Sequence, residues 1–462
     1  MSHHPGPAIR LAATAALVVA TVGCGGEGAS QGVAAQILLD SSSHYQRMTG
    51  WEATTQAGQD QRDFPRYRER LLELAADSLG IDRVRLQVRS GEENSRDYWA
   101  EMRAGRLAEN WRCVRYATVN DNADPNVINW NGFKFGDLDE SVEQIVLPLK
   151  RRLEARGEHL FVNLNYVAFY RQCPNVPYIH TDPEEYAEFM LAASLHLRTK
   201  YGLVPDAWEV MLEPDNTPFW RGEQLGRAIV ATARRLKAEG FTPRFIAPST
   251  TSMGAAAPYF DELAQVPGAL EYVSELSYHR YRDAGEPALR AIAASAARYH
   301  VASAMLEHIG SDQDDLYRDI TIGGVSAWQQ FVLAYAARDN GAQYFVIGTS
   351  GAGAPTVTMG SRTRYLRQYF HYIRAGALRL GASTSDPGMA PLAFRNANGR
   401  FVVVVKAGHR GNLAVAGLPP GRYAISYATA DTLAPERVVT LRRKEPLAAS
   451  IPLRGVLTIA QQ

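Results

Sequence analysis

Between about residue 45 and residue 375, short apolar runs alternate with longer amphipathic stretches, and this alternation leaves the chain very few folds. A strand followed each time by a helix returns parallel to its predecessor, with the helices covering the sheet. Eight strand-like runs are found: Gln46–Trp51, Ile81–Val88, His159–Val167, Ala207–Leu212, Arg244–Pro248, Tyr272–Tyr278, Val301–Leu306 and Tyr344–Ile347. Eight parallel strands close a barrel. The expected fold class is therefore α/β, a (β/α)8 TIM barrel over residues 45–377.

The segments between the strands read as helices. Phe64–Leu79 places Tyr67, Leu71, Leu74, Ala75 and Leu79 at a spacing of three to four. Thr181-Asp-Pro-Glu-Glu185 is a helix start, with an acceptor before Pro and acids in the first turn. The connection from Gly91 to Asp137 is long and rich in Asn, Trp and Tyr, as expected of a loop that shapes a cleft. Beyond residue 378 the texture changes to short strands separated by Gly, Pro and charged turns. An antiparallel β-sandwich is expected over 378–462, joined by an N-terminal strand at 37–44.

The N-terminus is not read as part of this fold. Leu11–Ala20 is apolar but short for a bilayer span, as in a secretory leader. It runs into Thr21-Val-Gly-Cys24, which resembles the lipobox of bacterial lipoproteins. That resemblance implies a signal peptide over 1–23, acylation of Cys24, and membrane attachment through a flexible tether over 24–36. Gly25 follows the cysteine instead of a retaining aspartate, so the outer membrane or cell surface is expected rather than free periplasm. Export implies an oxidising compartment, in which Cys113 and Cys173 are expected to pair; two buried free thiols are the alternative.

Charge argues against polyanionic partners. The formal net charge is +1, so neither nucleic acid nor a charged surface is expected as the main partner, and a neutral ligand is. No HxH or HExxH spacing points to a metal, and nothing points to a cofactor. Oligomeric state is not legible.

Active sites of such barrels lie at the C-terminal ends of the strands. Glu213 ends Ala207-Trp-Glu-Val-Met-Leu-Glu213 and is followed by Pro214, which cannot continue a ladder. Glu307 ends Ser303-Ala-Met-Leu-Glu307 in the same way. Two carboxylates across one barrel mouth are what glycoside hydrolysis requires: one protonates the leaving oxygen, and the other attacks the anomeric carbon or activates water.

Acids on strands four and seven resemble the arrangement of glycoside hydrolase clan A. Barrel and sandwich together look most like family 30, with family 39 a near neighbour, over roughly residues 37–460. Met48-Thr-Gly-Trp51 resembles the family's opening strand, Arg85 its strand-two arginine, and His279-Arg-Tyr281 its strand-six pair. The resemblance implies a retaining hydrolase acting on a β-linked glycan, with Glu213 as acid/base and Glu307 as nucleophile. Arg85 and Tyr281 would favour an ionised Glu307, and Arg85 has Glu209 as an alternative core partner. Glu213 would hold its proton in drier, less cationic surroundings.

Some positions depart from the family. Leu212 stands where the clan has an asparagine that holds the sugar 2-hydroxyl, so Asn165 or Asn163 is expected to substitute. Glu52 replaces a glycine and would bring a third carboxylate towards the cleft. Strand eight, read as ending in Gly348-Thr-Ser-Gly351, lacks the expected aromatic. Trp51, Trp99, Trp111, Trp130, Trp220 and Tyr166 are candidates to stack on sugar rings. A non-catalytic carbohydrate-binding lipoprotein derived from such an enzyme is the alternative reading.

Overall fold

The structure, a computed structural model, describes residues 34–462 apart from 108–110, 170–172, 174, 336–339 and 352. The expected leader, the lipidation site Cys24 and nearly all of the expected tether lie outside the described residues, as does the side chain of Trp111. No helix among the described residues is long and apolar enough to cross a membrane.

The first strand, β1 (Ala35–Arg47), belongs to a second sheet and begins inside the stretch read as tether. The barrel then follows as β2 (Gly50–Thr54), β3 (Arg83–Arg89), β4 (Phe161–Val167), β5 (Ala207–Glu209), β6 (Phe245–Ser252), β7 (Val273–Arg282), β8 (Ala302–Glu307) and β9 (Val325–Tyr335). Neighbours pair in parallel from β2 to β9, and β9 pairs with both β8 and β2, which closes the ring.

Seven of the eight barrel strands overlap the runs read from the sequence, the first only at Gly50 and Trp51, because Gln46 and Arg47 end β1; the eighth does not overlap. It is β9, whereas the segment around Tyr344 forms β10 (Gln343–Thr349), which pairs in parallel with the end of β9 and antiparallel with β11 (Pro355–Met359). The run Val325-Ser-Ala-Trp-Gln-Gln-Phe331 escapes a search for apolar stretches because two glutamines interrupt it. Gln329 turns into the barrel, and Gln330 bonds to the carbonyls of Gly341 and Gln343.

Period-two alternation sets the two faces of each strand. On β3, Val84, Leu86 and Val88 face the helix-covered core with Leu71, Leu72 and Leu149. Arg83 and Arg85 turn inward and meet carboxylates. The purely apolar part of the barrel interior is small: Ala207, Ile246, Ala304, Leu306 and Ala327.

The second sheet is mixed rather than wholly antiparallel. Its nine strands include β12 (Leu378–Thr384), β13 (Met389–Arg395), β14 (Phe401–Ala407), β15 (Gly411–Ala416), β16 (Gly421–Ala428), β17 (Arg437–Leu441), β18 (Leu447–Ile451) and β19 (Gly455–Gln461). β1 is the ninth, antiparallel to β12 and parallel to β15. The sheet curls into a nearly closed shape around its own apolar interior, which includes Ile37, Val403, Val405, Leu457 and Ile459. Its other face supplies Leu392, Phe394, Val402 and Val404 to the same core as the barrel helices, so the two sheets share one continuous apolar contact.

Candidate active site

Glu307 is the last residue of β8. Glu213 lies beyond the end of β5, in a left-handed conformation (φ 54°, ψ 57°) at the entry to a short turn over Pro214–Asn216. A non-glycine residue held there costs about 1–3 kcal/mol, and such strain concentrates where a side chain must be aimed. The neighbouring structure fixes it: Glu213 N–H donates to Ser249 O (3.1 Å), and Asp215 accepts from the N–H groups of Thr251 (2.7 Å) and Ser252 (3.0 Å).

The two carboxyl groups and His279 converge. One oxygen of Glu213, one of Glu307 and one ring nitrogen of His279 lie within 4.8 Å of one another. His279 Nδ1 donates to Glu213 Oε1 (3.1 Å), and its Nε2 lies 3.5 Å from Arg85 Nη1. Arg85 Nη2 ion-pairs with Glu307 Oε2, and Tyr281 donates its hydroxyl to Glu307 Oε1 (2.8 Å). Asn216 Nδ2 donates to Glu213 Oε2 (2.9 Å) and is not singled out by sequence reading; only its place one turn after Glu213 hints at the role.

Electrostatics revise one expectation. Burial pushes the Glu213 carboxyl up, but the hydrogen bond and charge of His279, the charge of Arg85 and the Asn216 bond outweigh it, and the net direction is down. His279 moves the other way: burial opposes its charge, while Glu307 and Glu213 favour it and prevail. The surroundings of Glu213 are therefore dry but cationic, not dry and uncharged. Burial and the Glu307 charge raise the Tyr281 phenol, which stays a donor.

Asn165 is fully buried on β4, and neither amide atom has a hydrogen-bond partner among the described residues. Asn163 is already engaged, donating to Glu209 Oε2 (2.8 Å). Leu212 packs with Tyr116, Val167 and Cys173, beside the Cys113–Cys173 disulfide that ties the two long loops together. Leu212 thus serves loop packing.

Four expected site residues are placed elsewhere: alternation or a turn points three of them away, and Glu52 lies too deep. Trp51 faces the helices, stacked on Phe370 at 4.3 Å. Glu52 points into the barrel below the mouth, fully buried against Arg83. Tyr166 faces outward into an aromatic cluster, its hydroxyl bonded to His180 Nδ1 (2.7 Å). Trp220 closes that cluster and donates Nε1–H to Tyr178 (2.7 Å). Among the other candidates Trp99 is half-buried and Trp130 is exposed. With β9 as the eighth strand, an aromatic does stand near Arg85: the Phe331 ring lies 6.0 Å from its guanidinium.

Among the described residues, Glu213, His279 and Glu307 are the one group whose ligand atoms are close enough to share a metal ion. Arg85 already occupies Glu307 Oε2, so a divalent cation there would face a neighbouring guanidinium.

No family model matches the chain, and no curated protein sequence does. Solved structures do. The catalytic domain of a GH30 xylanase C from Talaromyces cellulolyticus superposes with a TM-score of 0.64 at 14% identity, over 92% of this chain and all (100%) of that one. An endo-β1,6-glucanase gives 0.63 at 14% identity, over 92% and 94% of the two chains. A GH39 enzyme from Xanthomonas axonopodis pv. citri gives 0.53 at 13%, over 95% and 100%. At these identities the likeness is one of fold.

Proposed function

We propose that this chain is a retaining glycoside hydrolase acting on a β-linked glycan or glycoside. The observation that carries the reading is the approach of a Glu213 oxygen to a Glu307 oxygen within 4.8 Å at the barrel mouth. Carboxyl groups about 5–5.5 Å apart suit direct attack, whereas an inverting pair stands about 6.5–9.5 Å apart to admit water. The fold of GH30 and GH39 enzymes is consistent with this chemistry.

In this reading Glu307, oriented by Arg85 and Tyr281, attacks the anomeric carbon, and Glu213 gives its proton to the departing oxygen. A covalent glycosyl–enzyme ester forms, and the aglycone leaves as an alcohol. Water then attacks the same carbon, Glu213 takes its proton, and Glu307 is released. His279 favours the ionised Glu213 needed for the second step, whereas the first step draws on its protonated form. The free Asn165 amide is offered to a sugar hydroxyl in place of the side chain that Leu212 cannot supply.

Glu307→Ala and Glu213→Ala should each lower turnover of an aryl glycoside by roughly a thousandfold or more. Azide should partly restore Glu213→Ala on a substrate with an activated leaving group. Unchanged turnover in both variants would remove the proposal. The alternative, a binding protein without hydrolysis, draws on Leu212 and the lowered Glu213 carboxyl. Release of reducing sugar from a glycan that the protein binds excludes it. Anchoring belongs to the same proposal: Cys24→Ala should free the exported protein from the membrane fraction.

A further inference from the structure

Barrels of eight strands usually fill their interior with branched apolar side chains. Here a column of charged and amide groups runs from the floor to the mouth. At the floor, Arg83 pairs with Glu52 and, through Nη1 (2.7 Å) and Nη2 (2.6 Å), with both oxygens of Glu275. Asn163 Nδ2 comes next, 3.5 Å from Glu52 Oε1 and 2.8 Å from Glu209 Oε2. Glu209 Oε1 then lies 3.8 Å from Arg85 Nη1, and Arg85 Nη2 reaches Glu307. Glu52, Arg83, Arg85, Asn163 and Glu209 are each 0% exposed.

A buried carboxylate without a cation is costly, and Arg85 is the only cation within salt-bridge distance of Glu209 among the described residues. Arg85 is therefore shared: Nη2 serves Glu307, while Nη1 faces Glu209, Leu306 O (3.3 Å) and His279 Nε2 (3.5 Å). Other groups also face the Arg85–Glu307 pair. His279 and Tyr281 come from β7, Glu52 acts from β2, and Glu213 stands across the mouth. Glu209 is 0% exposed and precedes Glu213 by four positions along the chain, so it stands deeper in the barrel than the two carboxyl groups at the mouth.

We propose that Glu209 is a positioning residue: it holds the Arg85 guanidinium from below and sets how much of its charge reaches Glu307. The inference rests on the reading of Glu307 as nucleophile. With Glu209 ionised, the guanidinium is divided between two carboxylates, and Glu307 keeps the electron density that attack on carbon requires. Without that charge Arg85 belongs to Glu307 alone, which then stays ionised to lower pH and attacks more slowly.

The test is the pH–rate profile of Glu209→Gln, which preserves shape and the Asn163 contact while removing the charge. Its acid limb in kcat/KM should move down by about one pH unit, with kcat several-fold lower and KM little changed. Glu209→Asp, which keeps the charge, should return the limb towards its wild-type position. A merely structural Glu209 would alter Tm and leave the limb in place, and that result overturns the inference. If Glu209→Gln does not fold, Asn163→Ser serves instead: it frees Glu209 to close on Arg85 and should move the limb upward. An unmoved limb there is equally fatal. A wild-type protein that hydrolyses no glycoside removes the reading of the site and this inference with it. An active wild type with an unmoved limb removes the inference alone.

Discussion

As the proposed acid/base, Glu213 would have two tasks that its surroundings favour unequally. His279, Arg85 and Asn216 stabilise its anion, so the proton needed for leaving-group departure is lost at lower pH than burial alone would allow. An acidic optimum follows, and His279→Gln should shift the alkaline limb of kcat upward as the cation disappears. An unmoved limb would mean that His279 is not the controlling neighbour. Asn165→Ala removes a buried amide that bonds to nothing among the described residues, so it should leave Tm nearly unchanged. It should nevertheless lower kcat/KM roughly ten- to hundredfold if a sugar hydroxyl is its partner. Away from the site, Glu188 is buried with both oxygens unpartnered, and burial with the charges of Asp121, Glu185 and Glu93 pushes it up to about 8. The folded protein therefore keeps a proton that the unfolded chain gives up near 4.5, and stability falls as pH rises from there to about 8. Glu188→Gln should flatten that fall and add roughly 1–3 kcal/mol at pH 8, measured by denaturant melts.

At the scale of elements, the strands that carry the site were legible because each pairs an apolar run with a turn signal. Ala207–Glu213 and Ser303–Glu307 advertise both the strand and the acid beyond it. What failed was the inward or outward sense of single residues. Trp51 and Tyr166 are one step out of phase with the inward row, and on a pleated strand one step is the opposite face. β9 is hard to read from sequence for a related reason: its inward Gln329 and its tightly bonded Gln330 are polar, so a buried strand reads as a loop. The Cys113–Cys173 bridge joins the loops after β3 and β4 across a sequence separation of 60. Reducing it should cost about 2–4 kcal/mol through the unfolded chain and loosen the packing around Leu212. KM should rise more than kcat falls, because Glu213 is also held from the β6 side by Ser249 and through Asp215.

For the whole molecule, barrel and second sheet share apolar surface through Phe370, Ile373, Leu392, Phe394 and Val402, so one part does not melt without exposing the other. A single calorimetric transition is expected, and a chain ending before β12 should aggregate. Two resolved transitions would show the shared core to be a weak contact. The placement of β1 has a further consequence, for the order in which the protein can be made. Gln36 and Ser385, which bond at the edge of the β1–β12 pairing, are 349 positions apart. Most of the described chain must therefore be made before β1 can pair with β12, and its parallel partner β15 comes later still.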